Sequence, residues 1–198
     1  MTEKRAWQRM LSGRRLDLLN PSPLDVEIGD IAHGLARVAR WNGQTRGEWA
    51  FSVAEHSVLV ERIFAARNPA PNPAQRLTAL LHDAPEYVIG DMISPFKAAL
   101  GVDYRDFEAR LEAAVHLRFG LPARATETLK AQIKRADRAA AWIEAVQLAG
   151  FEEAEAGRFF SRPRFRGWES VRLKPKPPRE AAAAFLARFE ALTAEISG

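Results

Sequence analysis

The stretch Leu77-Thr-Ala-Leu-Leu-His-Asp-Ala-Pro-Glu86 decides how this chain is read. Its leucines and alanines give it the character of a buried helix, yet it sets an imidazole and a carboxylate side by side at His82 and Asp83. Burying an ionised carboxylate costs on the order of several kcal/mol unless a cation or a set of donors compensates it. A positive partner is therefore expected there. The rest of the chain offers a consistent candidate, a divalent metal.

Outward from this stretch the signals are helical. Asn72-Pro73 is a good start, because proline in the first position loses no needed donor. The helix it opens is expected to run through His82-Asp83 and to be disturbed by Pro85, which cannot donate to the carbonyl four residues back. Ser52-Val-Ala-Glu55 reads as a capping box opening a helix to about Arg67. Apolar residues at Ile31, Leu35, Val38 and Ala39 predict a helix over 30–41. Further helices are predicted from Ser94-Pro95 to Gly101, over 103–119 with Gly120 closing it, over 123–149, and over 179–196 on Ala182, Phe185, Leu186 and Phe189. Residues 151–178 are expected to be irregular, and 13–23 to form a short hairpin or an extended arm. No alternating run is long enough for a confident strand. The expectation is an all-α, single-domain bundle over 24–198, with its core in 30–150, preceded by an N-terminal extension over 1–23.

A chain of 198 residues can bury a real core without covalent staples. With no cysteine, disulfides, thiolate metal sites and a cysteine nucleophile are excluded. The N-terminal residues lack the apolar stretch of a signal peptide, and no run approaches the roughly 20 apolar residues of a membrane span. A cytoplasmic protein with no membrane partner is expected. The net charge of +4 is modest. Between Arg158 and Arg179, however, Arg and Lys alternate with Phe, Trp and Pro, a stripe that could meet phosphates. A solvated arginine-rich loop is the plainer reading of it.

Other segments supply ligand-type groups on core-facing positions. Helical spacing puts Leu59, Val60 and Ile63 on the side of His56, so that histidine points inward. Asp137 has Ile133, Ala140 and Ala141 as one-turn neighbours, which leaves room beside its carboxylate. His56, His82, Asp83 and Asp137 thus make a mixed nitrogen and oxygen set, suited to Mn²⁺, Co²⁺, Fe²⁺, Ni²⁺ or Zn²⁺. A closed structural zinc site would more often recruit cysteines. On an ideal helix Glu86 lies about 40° from His82, between it and Asp83, where a carboxylate can move a proton without binding the ion. Singly, each has a plainer reading: a satisfied core histidine, an aspartate paired with Arg135 or Arg138, a surface glutamate. Their coincidence, in the order His, His-Asp, Asp, shifts the balance. No glycine-rich phosphate loop, G-x-S-x-G elbow or Rossmann fingerprint is present.

That order resembles the HD-domain superfamily of metal-dependent phosphohydrolases. With Arg40-Trp41 ahead of His56, Glu86 after the His-Asp pair, then Gly90-Asp91 and Ser94-Pro95-Phe-Lys97, residues 16–149 look like the branch of bacterial 5′-deoxynucleotidases and related nucleotide phosphohydrolases. The resemblance implies that His56, His82, Asp83 and Asp137 hold one divalent ion and that Glu86 handles the proton. It also implies that Arg40 and Lys97 meet the phosphate, that Trp41 limits space near the sugar 2′ position, and that Asp91 accepts from the 3′ hydroxyl. A nucleotide is the implied substrate and a homodimer the implied assembly. Two-metal members carry extra histidines between the His-Asp pair and the last Asp. Only His116 lies there, on a side of its helix expected to be exposed, so one ion is favoured. His33 is expected to be structural or superficial. The rival readings are a nucleoside triphosphate hydrolase on the same scaffold and a basic helical protein that binds nucleic acid through the Arg162 to Lys176 stretch and Trp168.

Overall fold

A computed structural model of the chain describes residues 6–91 and 102–198, with the backbone alone for 102–105. It is an all-α fold, with a two-stranded antiparallel hairpin, β1 (Trp7–Arg9) and β2 (Arg15–Asp17), ahead of the helices. The helices are α1 (Ile28–Leu35), α2 (Val53–Arg67), α3 (Pro73–Leu80), α4 (Glu86–Ile89), α5 (Val102–Arg118), α6 (Glu127–Gln147), α7 (Glu153–Phe159) and α8 (Pro178–Ser197). Ser94 to Gly101, where a short helix is expected, lie outside the described residues, and Lys97 with them.

Helix α2 is the centre of the molecule. Both bonds of its capping box are made: Ser52 Oγ accepts from the Glu55 amide, and the Glu55 carboxylate accepts from the Ser52 amide. The helix is buried on most of its circumference and packs against α3, α6 and α8. On one side lies a core built from Leu16 of the hairpin, Ile31 and Leu35 of α1, Leu80 and Leu81, Leu111 of α5 and Phe185 of α8. On the other, Leu59, Val60, Ile63 and Phe64 meet α6 through Ile133, Ala136, Ala139, Ala140 and Ile143. The small alanines let the two helices approach closely, and that approach positions the site.

A buried ion cluster joins three of these helices. Glu61 of α2, wholly buried, accepts from Arg76 Nε of α3 at 2.8 Å and from Arg188 Nε and Nη2 of α8 at 2.7 and 2.8 Å. Helix α1 packs on α4 at Gly34, where an added Cβ would lie 2.8 Å from Tyr87 Cβ and 2.9 Å from its carbonyl oxygen. Only glycine allows that crossing.

Several expectations need correction. The helix predicted over 30–41 ends at Leu35, because the backbone of 38–40 pairs with 51–53 instead: Arg40 N–H donates to the Phe51 carbonyl and Val53 N–H to that of Val38. The helix opened by Asn72 stops at Leu80 rather than running through His82-Asp83. Pro85 has no N–H for the Leu81 carbonyl, and the chain tightens into i to i+3 bonds, Ala84 to Leu81 and Glu86 to Asp83. The alanine-rich helix begins later than expected, at Glu127, capped by Thr126. Residues 151–178 contain α7 and a short 3-10 turn at Trp168–Ser170. The C-terminal helix buries Ala181, Phe185, Phe189 and Leu192, with Ala182 and Leu186 at the edge of the core. His116 is 1% exposed, not superficial: its Nδ1–H donates to the Pro122 carbonyl at 3.2 Å.

Candidate metal centre

The three-residue set His56, His82 and Asp137 converges, although its members lie on α2, on the turn after α3 and on α6. Each offers one ligand atom, and these atoms all lie within 4.8 Å of one another. Nε2 of His56 stands 3.4 Å from Asp137 Oδ1 and 3.4 Å from Asp83 Oδ2, while Nε2 of His82 is 3.1 Å from the same Asp83 oxygen. Ligand atoms about 2.1 Å from a shared ion stand roughly 3.0 to 3.4 Å apart in octahedral or tetrahedral arrangement. The tight turn at 81–85 is what lets two adjacent side chains reach one point; on a continuous helix they would diverge by about 100°.

The hydrogen bonds at the far side of each ring set the tautomer. Nδ1–H of His82 donates to the Ala79 carbonyl at 2.9 Å, and Nδ1 of His56 lies 2.5 Å from Glu144 Oε1. Both Nε2 atoms are buried and have no hydrogen-bond partner among the described residues. A buried, unbonded imidazole nitrogen facing carboxylate oxygens is what a metal ligand requires. The trio could hold a metal ion.

Charge at the site is tightly coupled. Burial and Arg40 disfavour the charged form of His56, but Glu144, Asp137 and Asp83 outweigh them and hold its pKa well above the usual imidazole range. Burial likewise opposes charge on Asp83, Asp137 and Glu144, yet the histidines overcome it for all three, helped at Glu144 by Arg40 and at Asp137 by Lys134. All three stay below the ordinary carboxylate range.

Glu144 was missed from the sequence. It is wholly buried on α6, two turns beyond Asp137, and its second oxygen accepts from Trp41 Nε1 at 2.9 Å and from Arg40 at 3.4 Å. Arg40 also donates to Asp91 at 3.2 Å. One carboxylate therefore joins a candidate ligand, His56, to the Arg40-Trp41 pair. Trp41 and Asn42 occupy left-handed backbone conformations, φ 57° and 50°. Such residues cost about 1–2 kcal/mol each in an L-chain. The Glu144 bond and the packing of the Trp41 ring on Phe151 and Phe160, at 5.8 and 5.5 Å, hold the turn in place.

The other candidates are placed as follows. Glu86 opens α4, directly after the turn that carries His82 and Asp83, and is 3% exposed. Asp137 pairs with Lys134 at 2.7 Å, not with Arg135 or Arg138. His33 is half-buried, its carbonyl accepting from Arg37. In the basic segment the Arg162 guanidinium lies over Trp142 and Trp168, at 5.8 and 5.5 Å, so those aromatics already have a cation against them.

The chain is 60% identical over 195 residues to an uncharacterized protein of Rhodobacter capsulatus, RCAP_rcc00048, an alignment covering 98% of this chain and 100% of the relative. It belongs to the same family as that protein. It is also 32% identical over 98 residues to the uncharacterized Escherichia coli protein YfdR, covering 50% of this chain and 49% of that one. No protein-family profile matches. No helix among the described residues is long and apolar enough to cross a membrane.

Proposed function

We propose that this protein is a metal-dependent phosphohydrolase of the HD-domain type, acting on nucleoside 5′-monophosphates with a preference for deoxy forms. The observation that carries the reading is the convergence of two unbonded imidazole nitrogens with the oxygens of Asp83 and Asp137. Charge supports it. The connected network holds four carboxylates (Asp83, Asp91, Asp137, Glu144) against two permanent cations, Arg40 and Lys134. With neutral histidines, a divalent ion would balance it. The nitrogen and oxygen set suits Mn²⁺, Co²⁺, Fe²⁺, Ni²⁺ or Zn²⁺.

Such an ion supplies Lewis acidity to a phosphoryl oxygen and lowers the pKa of water beside it. The side chains do the rest. Arg40, fixed by Glu144 and Asp91, is a donor set in advance for phosphoryl charge. By resemblance Lys97 joins it, Asp91 accepts from the 3′ hydroxyl, and Trp41 crowds the 2′ position. Glu86 takes a proton from the attacking water or delivers one to the leaving 5′ oxygen. The test is a panel of nucleoside mono- and triphosphates, offered to chelator-treated protein resupplied with Mn²⁺, Co²⁺ or Zn²⁺. Phosphate released from deoxynucleoside monophosphates is expected, and it is lost together with metal retention in Asp137→Ala and His82→Ala. Full activity in both variants would end the reading; triphosphate or pyrophosphate release from dATP would redirect it to the triphosphate hydrolases.

A further inference from the structure

Among the described residues, a cavity opens beside the candidate ligand atoms, between α5 and α6. It encloses about 140 Å³ and is lined by His82 and Asp83, by Lys130, Lys134 and Asp137 of α6, and by Glu112 of α5.

Resting on the metal-dependent phosphohydrolase reading, we propose that Lys134 and Lys130 bind the phosphate of the substrate, making α6 the cationic wall of the site. Lys134 Nζ sits 2.7 Å from Asp137 Oδ2, while Oδ1 of the same carboxylate faces His56 Nε2. Its ammonium is thus one carboxylate away from the ligand cluster. A lysine ammonium carries three donors. One is used on Asp137, and the side chain is 71% exposed, so the others are open to an arriving anion. Lys130 stands one helical turn earlier, about 6 Å along α6, and bonds the highly exposed Glu127 at 3.0 Å, a pairing that a phosphate dianion can displace. The cavity therefore has a ligand cluster at its floor and two ammonium groups at its rim, the pairing that a phosphate ester satisfies.

The experiment uses the full chain loaded with Co²⁺, whose visible spectrum reports both its own binding and the arrival of inorganic phosphate. Titrating phosphate into the wild type, Lys134→Gln, Lys130→Gln and the double variant separates the roles. The double variant is expected to lose at least about tenfold in phosphate affinity, as removal of two charge-assisted contacts implies, with Co²⁺ affinity held within about threefold; Lys134→Arg restores most of the loss. Unchanged phosphate affinity in the double variant would overturn the proposal while leaving the metal reading intact. So would Co²⁺ affinity falling in step with phosphate affinity, which would make Lys134 a support for Asp137 alone. If the wild type takes up no Co²⁺, the phosphohydrolase reading fails, and this proposal with it.

Discussion

Glu144 Oε1 lies 2.5 Å from Nδ1 of His56, both side chains wholly buried, and the other oxygen of the same carboxylate receives Trp41 Nε1. A carboxylate behind a ligating imidazole fixes its tautomer and raises its basicity. Glu144→Gln keeps the shape and removes the charge. Metal affinity should fall by about 10- to 100-fold, measured by competition with a chromophoric chelator. Affinity equal to wild type would mean the pair is structural only.

A second test concerns the crossing of α1 and α4. Gly34→Ala forces a Cβ against the Tyr87 backbone and should cost about 1–3 kcal/mol. At Gly29 on the same helix an added Cβ would meet nothing within 4 Å, so Gly29→Ala should be neutral or stabilising by up to about 1 kcal/mol. Urea denaturation of the two variants distinguishes crowding from helix propensity.

The Glu61 cluster makes a non-additive prediction. Either arginine alone can hold the buried carboxylate, so Arg76→Met or Arg188→Met should cost about 1.5–3 kcal/mol. Removing both leaves Glu61 buried and unpaired, and the double variant should lose about 3–5 kcal/mol more than a single one. A double-mutant cycle by chemical denaturation reads the coupling; simple addition would show that water reaches Glu61.

His116 gives a pH dependence outside the candidate centre. Burial lowers its pKa below 6.5, opposed in part by the hydrogen bond to the Pro122 carbonyl. The unfolded chain therefore binds the proton more readily, and stability must fall as pH drops through 6.5 toward the folded-state value; well above 6.5 the contribution is flat. His56, shifted the other way in the metal-free chain, contributes the opposite slope. The difference between wild type and His116→Gln, followed by urea midpoints from about pH 8 to about pH 5, isolates the contribution. A difference independent of pH would refute it.

What could be read from the sequence was what local chemistry determines. The capping box at Ser52 and the helix start at Asn72-Pro73 form as expected because each is decided within four residues. His56, His82 and Asp137 meet because inward-facing positions on two packed helices and the turn beside them have few places to point. Val38 and Ala39 misled because the segment they pair with, 51–53, comes later in the chain and pattern alone cannot weigh that pairing. The exposure expected for His116 failed because the chain turns back at Gly120 and covers it with Pro122. Glu144 had a signal: with Asp137, Ala140 and Ala141 it completes an i, i+3, i+4, i+7 face, with a carboxylate at each end and alanine between.

The halves of the core on either side of α2 have a mechanical consequence. Leu81 and Ala84, flanking His82 and Asp83, belong to one half, Asp137's neighbour Ala136 to the other, and His56 rides the partition between them. An ion held by these groups would act as a rivet through both halves. Stripped of it, the two halves are free to melt at separate temperatures; fastened, they should come apart in one transition that climbs with ion concentration.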